Sequence, residues 1–120
     1  MTFTEILTDA AKNIEGVIAV GLVGVDGMGV ETVVANGYEL DTEALEVELA
    51  GLVGNVARAT QTLSAGFLKD MFIETENRGY LISFLDNAYF LMVLLGPLAN
   101  LGRARFEVKR VSNRLRETLS

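Results

Sequence analysis

The sequence predicts one α+β domain (α/β in the broad sense), a β-sheet covered by helices on both faces. Three observations predict it. Residues 17–25 (VIAVGLVGV) and 88–95 (AYFLMVLL) are apolar at successive positions rather than at alternate ones, which marks strands covered on both sides. Between them, residues 41–63 contain no proline and place Leu45, Leu49, Leu52, Val56, Ala59 and Leu63 at steps of four and three, one continuous face of a helix. Helical periodicity also occupies both ends of the chain.

Residues 2–13 read as a short amphipathic helix, with Phe3, Ile6, Leu7, Ala10, Ala11 and Ile14 along one side. Thr2 or Thr4 caps it, and Gly16 suits the left-handed position that ends it. After the strand at 17–25, Asp26-Gly27 makes a turn and residues 30–35 return as the second strand of a hairpin. Asn36-Gly37 breaks the chain before the long helix, which Asp41 or Thr42 caps. Three strands follow, at 67–75, 80–85 and 88–95. Lys69 and Asp70 interrupt the first of these, as suits an exposed edge. From Leu98 the helical period resumes, with Leu98, Leu101, Val108, Val111, Leu115 and Leu119 facing inward. The order is helix, two strands, long helix, three strands, helix, within a single domain at 1–120. The two-sided strands by themselves predict a mixed sheet between two helix layers.

Composition narrows the chemistry. A net charge of −6 over 120 residues argues against nucleic acid as a partner. Without cysteine there is no disulfide framework, and without histidine the commonest general base and transition-metal ligand are missing. No apolar run is long enough to cross a bilayer as a helix, so a cytoplasmic protein without direct membrane insertion is expected. The glycines at 24, 27 and 29 follow a strand, but their spacing is not that of a dinucleotide fingerprint, and more β-sequence follows. They mark a hairpin. Glu43, Glu46 and Glu48 do not form a metal set, because Glu48 points away from the other two and no third ligand converges. No catalytic constellation can be assembled, so no cofactor, no metal and no enzymatic activity are expected. The six basic residues of the last helix read as a solvated face, with Arg103–Glu107, Glu107–Arg110 and Arg114–Glu117 at ion-pair spacing.

The long helix carries the functional signal. Opposite its apolar stripe, where a monomer would show Lys, Glu and Gln, stand Val47, Ala50, Gly51, Gly54 and Ala57. Each glycine in a helix interior costs about 1 kcal/mol relative to alanine. A second helix packed on this smooth surface would offset that cost, so the face is expected to contact a protein partner. The plainer alternative is a helix sandwiched within one monomeric core.

Ile14-Glu15-Gly16-Val17 leading into the first strand, the Asp26-Gly27 hairpin, the long middle helix and residues 95–102 (LGPLANLG) together resemble the roadblock / dynein light chain family over nearly the whole chain. The resemblance implies a profilin-like, five-stranded antiparallel sheet with the middle helix on one face and the two terminal helices on the other. It also implies a homodimer, with two sheets joined and the middle helices side by side. Val47, Ala50, Gly51, Gly54, Ala57, Phe67, Lys69 and Met71 would line that interface. The third protein expected from the family is a small Ras-like GTPase, bound over the paired helices at Glu43, Glu46, Arg58 and Gln61. A bacterial regulator of cell polarity is the kind of member that this chain most resembles. Such a member accelerates GTP hydrolysis by remodelling the GTPase's own site, without an arginine finger. The rival readings are a passive scaffold of a GTPase or motor-type complex, and a small-ligand sensor. The tightly apolar sheet faces speak against the sensor, since no convergent polar groups mark a pocket.

Overall fold

A computed structural model describes residues 2–119. The chain folds as α1 (Phe3–Asn13), β1 (Val17–Gly24), β2 (Gly29–Val34), α2 (Thr42–Thr62), β3 (Asp70–Glu74), β4 (Gly79–Phe84), β5 (Tyr89–Leu95) and α3 (Leu101–Leu119). The strands form one sheet in the order β2-β1-β5-β4-β3. All four pairings are antiparallel, so the mixed sheet expected from the two-sided strands gives way to the antiparallel one. Burial on both faces arises here without parallel strands, because α1 and α3 cover one side and α2 the other.

Period-two alternation sorts the side chains between these layers. On β5, Leu91, Val93 and Leu95 pack in the cluster with α1 and α3, while Phe90 and Met92 meet Leu49, Ala50 and Val53 of α2. On β1, Val17, Val20 and Leu22 join the first cluster and Val23 the second. The register between β1 and β5 shifts between Val17 and Ala19, a bulge that gathers both Ile18 and Ala19 into a third cluster with Leu94.

Local chemistry sets the boundaries. Thr2 and Glu5 form a reciprocal capping box on α1: the Glu5 amide donates to Thr2 Oγ1 at 3.1 Å, and the Thr2 amide donates to Glu5 Oε1 at 3.2 Å. Gly16 ends the segment at φ +84°, and a Cβ built there would lie 2.6 Å from Ala99 Cα. Asp41 caps α2 by accepting the Ala44 amide. The last helix begins at Leu101 rather than Leu98, because Asn100 Oδ1 accepts the Arg103 amide and the Gly96–Pro97 turn comes before it. Leu98, expected to face inward, is 93 % exposed.

The basic face of α3 is more than a solvated surface. Glu107 is 1 % exposed; Arg103 pairs with it at 3.1 Å and Arg110 at 2.7 Å. Arg110 and Arg114 also reach Asp9 of α1, at 3.0 and 3.2 Å. The ion pairs expected within α3 at Arg103–Glu107 and Glu107–Arg110 are therefore present, and the network continues across to α1.

Candidate partner-binding face

The candidate face is built from α2 and the free edge of β3. Along α2 the buried residues are Glu46, Leu49, Ala50 and Val53. Successive residues turn about 100° around a helix. On the flank next to that buried stripe the turn places Glu43, Val47, Gly51, Gly54, Arg58 and Gln61 together, and all six are exposed. A Cβ built on Gly51 or Gly54 meets nothing within 4 Å, so both glycines open directly to the surroundings. Arg58 Nη2 donates to Asn55 Oδ1 at 3.4 Å, which holds its guanidinium along the helix.

The core stripe is rotated from the one expected. Leu49 is buried and Leu45 and Val56 are half-buried, but Leu52 and Ala59 are exposed and Leu63 is 77 % exposed. Ala50, expected on the outer surface, is 6 % exposed and packs in the core, and Ala57 is half-buried. The reason is close approach. Small residues let α2 settle close to the sheet, so that a Cβ built on Gly27 would lie 3.7 Å from Val47 Cα and 3.9 Å from Ala50 Cβ. Beyond Val53 no residue of α2 is buried, and Leu63, which caps its C-terminus, is left outside.

Glu46 is also displaced from its expected place on the rim. It is 9 % exposed and turned to β2, where Thr32 Oγ1 donates to its Oε2 at 2.7 Å. Gly29 makes this possible, because any Cβ there would collide with the Glu46 carboxylate. Buried in this way, Glu46 is a packing and hydrogen-bonding residue.

β3 lies at the edge of the sheet and is shorter than residues 67–75. Phe67 and Lys69 precede it, in the connection from α2, and only Met71 of the three expected contacts lies on the strand. The chain is diverted by Ser64 at φ 58° and Gly66 at φ +88° before the ladder begins. The outer side of β3 has no strand partner, and Met71 packs in the α2-side cluster. Met71 thus places β3 on the α2 side of the sheet, while the helix itself lies closest to β1 and β2. Phe67, 82 % exposed, adds apolar surface at the corner.

A cleft of about 630 Å³ opens at this corner, between the end of α2 at Ala57 and Gln61, the start of β3, the end of β4 and α3. It overturns the expectation that no polar groups converge on a pocket. Lys109, Ser112, Asn113 and Arg116 line it together with Phe84 and Leu85. The one hint in the sequence was Ser112, a hydroxyl beside the apolar stripe of Val108, Val111 and Leu115. Among the described residues, no three or more carboxylates cluster as a metal site, and no helix is long and apolar enough to cross a membrane.

The sequence matches no protein-family model, and no curated protein matches it significantly. Solved structures do match. A roadblock/LC7 domain from Streptomyces avermitilis superposes with a TM-score of 0.87 at 16% identity, over 99% of this chain and 98% of that one. An MglB in a tetrameric arrangement gives the same score and identity, over 95% of this chain and 85% of that one. MglC from Myxococcus xanthus is 26% identical, with a TM-score of 0.72 and coverage of 98% and 99%. These likenesses define a three-layer domain, whose sheet here has β2 and β3 as its two edge strands. The chain has the roadblock fold, of the kind found in MglB.

Proposed function

We propose that this chain is an MglB-like homodimeric regulator of a small Ras-like GTPase, acting in the cytoplasm by activating or holding that GTPase. The observation that carries the proposal is the outer face of α2. Val47, Gly51 and Gly54 leave a small-residue apolar arc exposed, and β3, at the edge of the same sheet, has no outer strand partner. A second copy meeting it would pair two edges and two helices at once. Met71 and the preceding Phe67 and Lys69 would flank that seam, with Ala57 at its inner margin. Glu43, Arg58 and Gln61, on the same exposed arc, would form the rim that a GTPase meets. Glu46 is withdrawn from that rim by its burial. Such a regulator needs no catalytic residues of its own, since the GTPase brings the chemistry.

The test is GTP hydrolysis by the small Ras-like GTPases of the source cell, each measured with and without this protein. A turnover increase of about tenfold or more, some 1.4 kcal/mol of barrier, identifies an activator. Co-elution with the GTP-bound form at unchanged turnover identifies a holding regulator. No effect on turnover and no co-elution with any of them refutes the GTPase assignment.

A further inference from the structure

Asn36-Gly37 lies in the connection from β2 to α2, outside both the proposed seam and its rim. Both residues are exposed. Their turn is closed by the Tyr38 amide donating to the Ala35 carbonyl at 3.3 Å, just beyond the usual range for such a bond. Gly37 holds φ at +91°, as the third residue of a type II turn requires, and a Cβ built there meets nothing within 4 Å. Among the described residues, neither the Asn36 side chain nor the Gly37 amide has a hydrogen-bond partner. The glycine nitrogen of an Asn-Gly pair can close a five-membered ring on the asparagine Cγ, and the missing Cβ leaves that approach open. In a folded protein the reaction is held back where the amide is already engaged or the backbone is fixed.

Other positions with related chemistry are held in that way. At Asp26-Gly27, the Gly27 amide donates to the Gly24 carbonyl at 3.0 Å, and Asp26 Oδ1 accepts the Met28 amide at 3.0 Å. The amides that follow Asn77 and Asn87 are also engaged, with Thr75 Oγ1 at 3.1 Å and Asp86 Oδ1 at 2.8 Å. Asn55 and Asn113 stand inside α2 and α3. We infer that Asn36 is a self-modification site, converted without an enzyme to aspartate and isoaspartate. The deprotonated Gly37 nitrogen attacks Asn36 Cγ, the new N–Cγ bond closes a succinimide, and the Cγ–Nδ2 bond breaks to release ammonia. Water then opens the ring. Breaking the N–Cγ bond leaves aspartate, while breaking the bond from nitrogen to the backbone carbonyl carbon leaves isoaspartate, with the chain running through Cβ. One water is consumed, one ammonia leaves, and nothing is oxidised or reduced. The product adds one negative charge beside Glu39 and Asp41 to a chain whose charge is already −6. Its isoaspartyl form also inserts a carbon into the turn that the Tyr38 amide closes.

The inference is independent of the GTPase reading, and its test uses the protein alone. The purified chain is held at neutral pH, and samples are digested after glutamate. That cleavage separates residues 16–31, with Asp26-Gly27, from residues 32–39, with Asn36-Gly37. Mass spectrometry is expected to show the 32–39 peptide passing from amide to acid, in two chromatographic forms. An isoaspartyl methyltransferase should methylate one of them. Exposed turns open at almost no free-energy cost, so the rate should lie within about tenfold of that in the urea-unfolded chain. It should rise about tenfold per pH unit, as the anion of a weak acid does below its pKa. Isoaspartate at Asp26-Gly27 should form more than about tenfold more slowly than in the unfolded chain, because its hydrogen bonds must open first. Asn36→Gln, whose ring would need six members, should keep the fold and stop the conversion. A 32–39 peptide that stays amide while the unfolded chain converts overturns the inference. So does an Asp26-Gly27 pair that reacts as fast as in the unfolded chain, since engaged amides would then give no protection.

Discussion

Gly16 and Gly54 show how differently the same residue can be used. Gly16 combines a left-handed backbone with contact to Ala99, so Gly16→Ala adds both strain and overlap. It is expected to cost about 3 kcal/mol, read as a lower urea midpoint at unchanged slope. At Gly54 the space is open and the backbone helical, so Gly54→Ala should stabilise the isolated fold by about 1 kcal/mol. A loss of stability there at low protein concentration would show that the face is not open. Thr32 makes a third case. Its hydroxyl is the partner of the buried Glu46 carboxylate, and Thr32→Val should destabilise by about 2 kcal/mol in the same measurement. The Thr32–Glu46 contact was not legible in the sequence. Two polar residues on different elements carry no mutual signature, and a glutamate in the first turns of a helix reads as solvated.

Among the elements, the contact of α1 with α3 has the clearest electrostatic logic. The hydrogen bond from Arg110, helped by Arg114, holds the Asp9 carboxyl below the usual aspartate range. Glu107 first, then Asp9, holds Arg110 above its own ordinary value. A carboxylate with a depressed folded pKa adds stability that is complete above its unfolded value. That stability is lost as pH falls through the folded one. The pairing with Asp9 should therefore be fully present above about pH 4 and disappear below it. Asp9→Asn should flatten the fall of the melting temperature in that acid range. Arg110→Met removes one of two partners of a buried carboxylate and should cost about 2 kcal/mol at neutral pH, by chemical denaturation. The existence and order of every helix and strand were legible at this scale, because helices and strands repeat with different periods. The side of α2 that faces the sheet was not. Both of its arcs are apolar, and the deciding factor was how close Ala50 and Val53 could come to the sheet, not which arc held the larger residues. The start of β3 was misplaced for a related reason, since the turn at Ser64 and Gly66 redirects a stretch whose composition still reads as strand. The cleft was hidden because it joins α2, β3, β4 and α3, four elements whose neighbourhood only the fold creates.

For the whole molecule, α2 and the connection that follows it expose Val47, Leu52, Leu63 and Phe67. Where such residues form a contiguous patch, they mark an association surface. Light scattering at micromolar concentration is expected to give twice 13.0 kDa. Gly54→Leu should return the mass to that of one chain while the circular dichroism spectrum stays unchanged, because the side chain enters space that is empty in the single fold. Loss of mass together with loss of structure would place Gly54 in the core instead, and an unchanged mass would exclude it from the contact. The strand order has a further consequence, for the time course of folding. β5 is the last strand in the sequence yet lies between β1 and β4, with Val17 opposite Leu95. Neither hairpin can bury its inner edge until that strand arrives. A chain emerging from the ribosome therefore holds α1, β1, β2 and α2 without a closed core, and collapses in one late, cooperative step once Leu95 is free. Contacts so distant in sequence slow that step relative to a helical bundle of equal length.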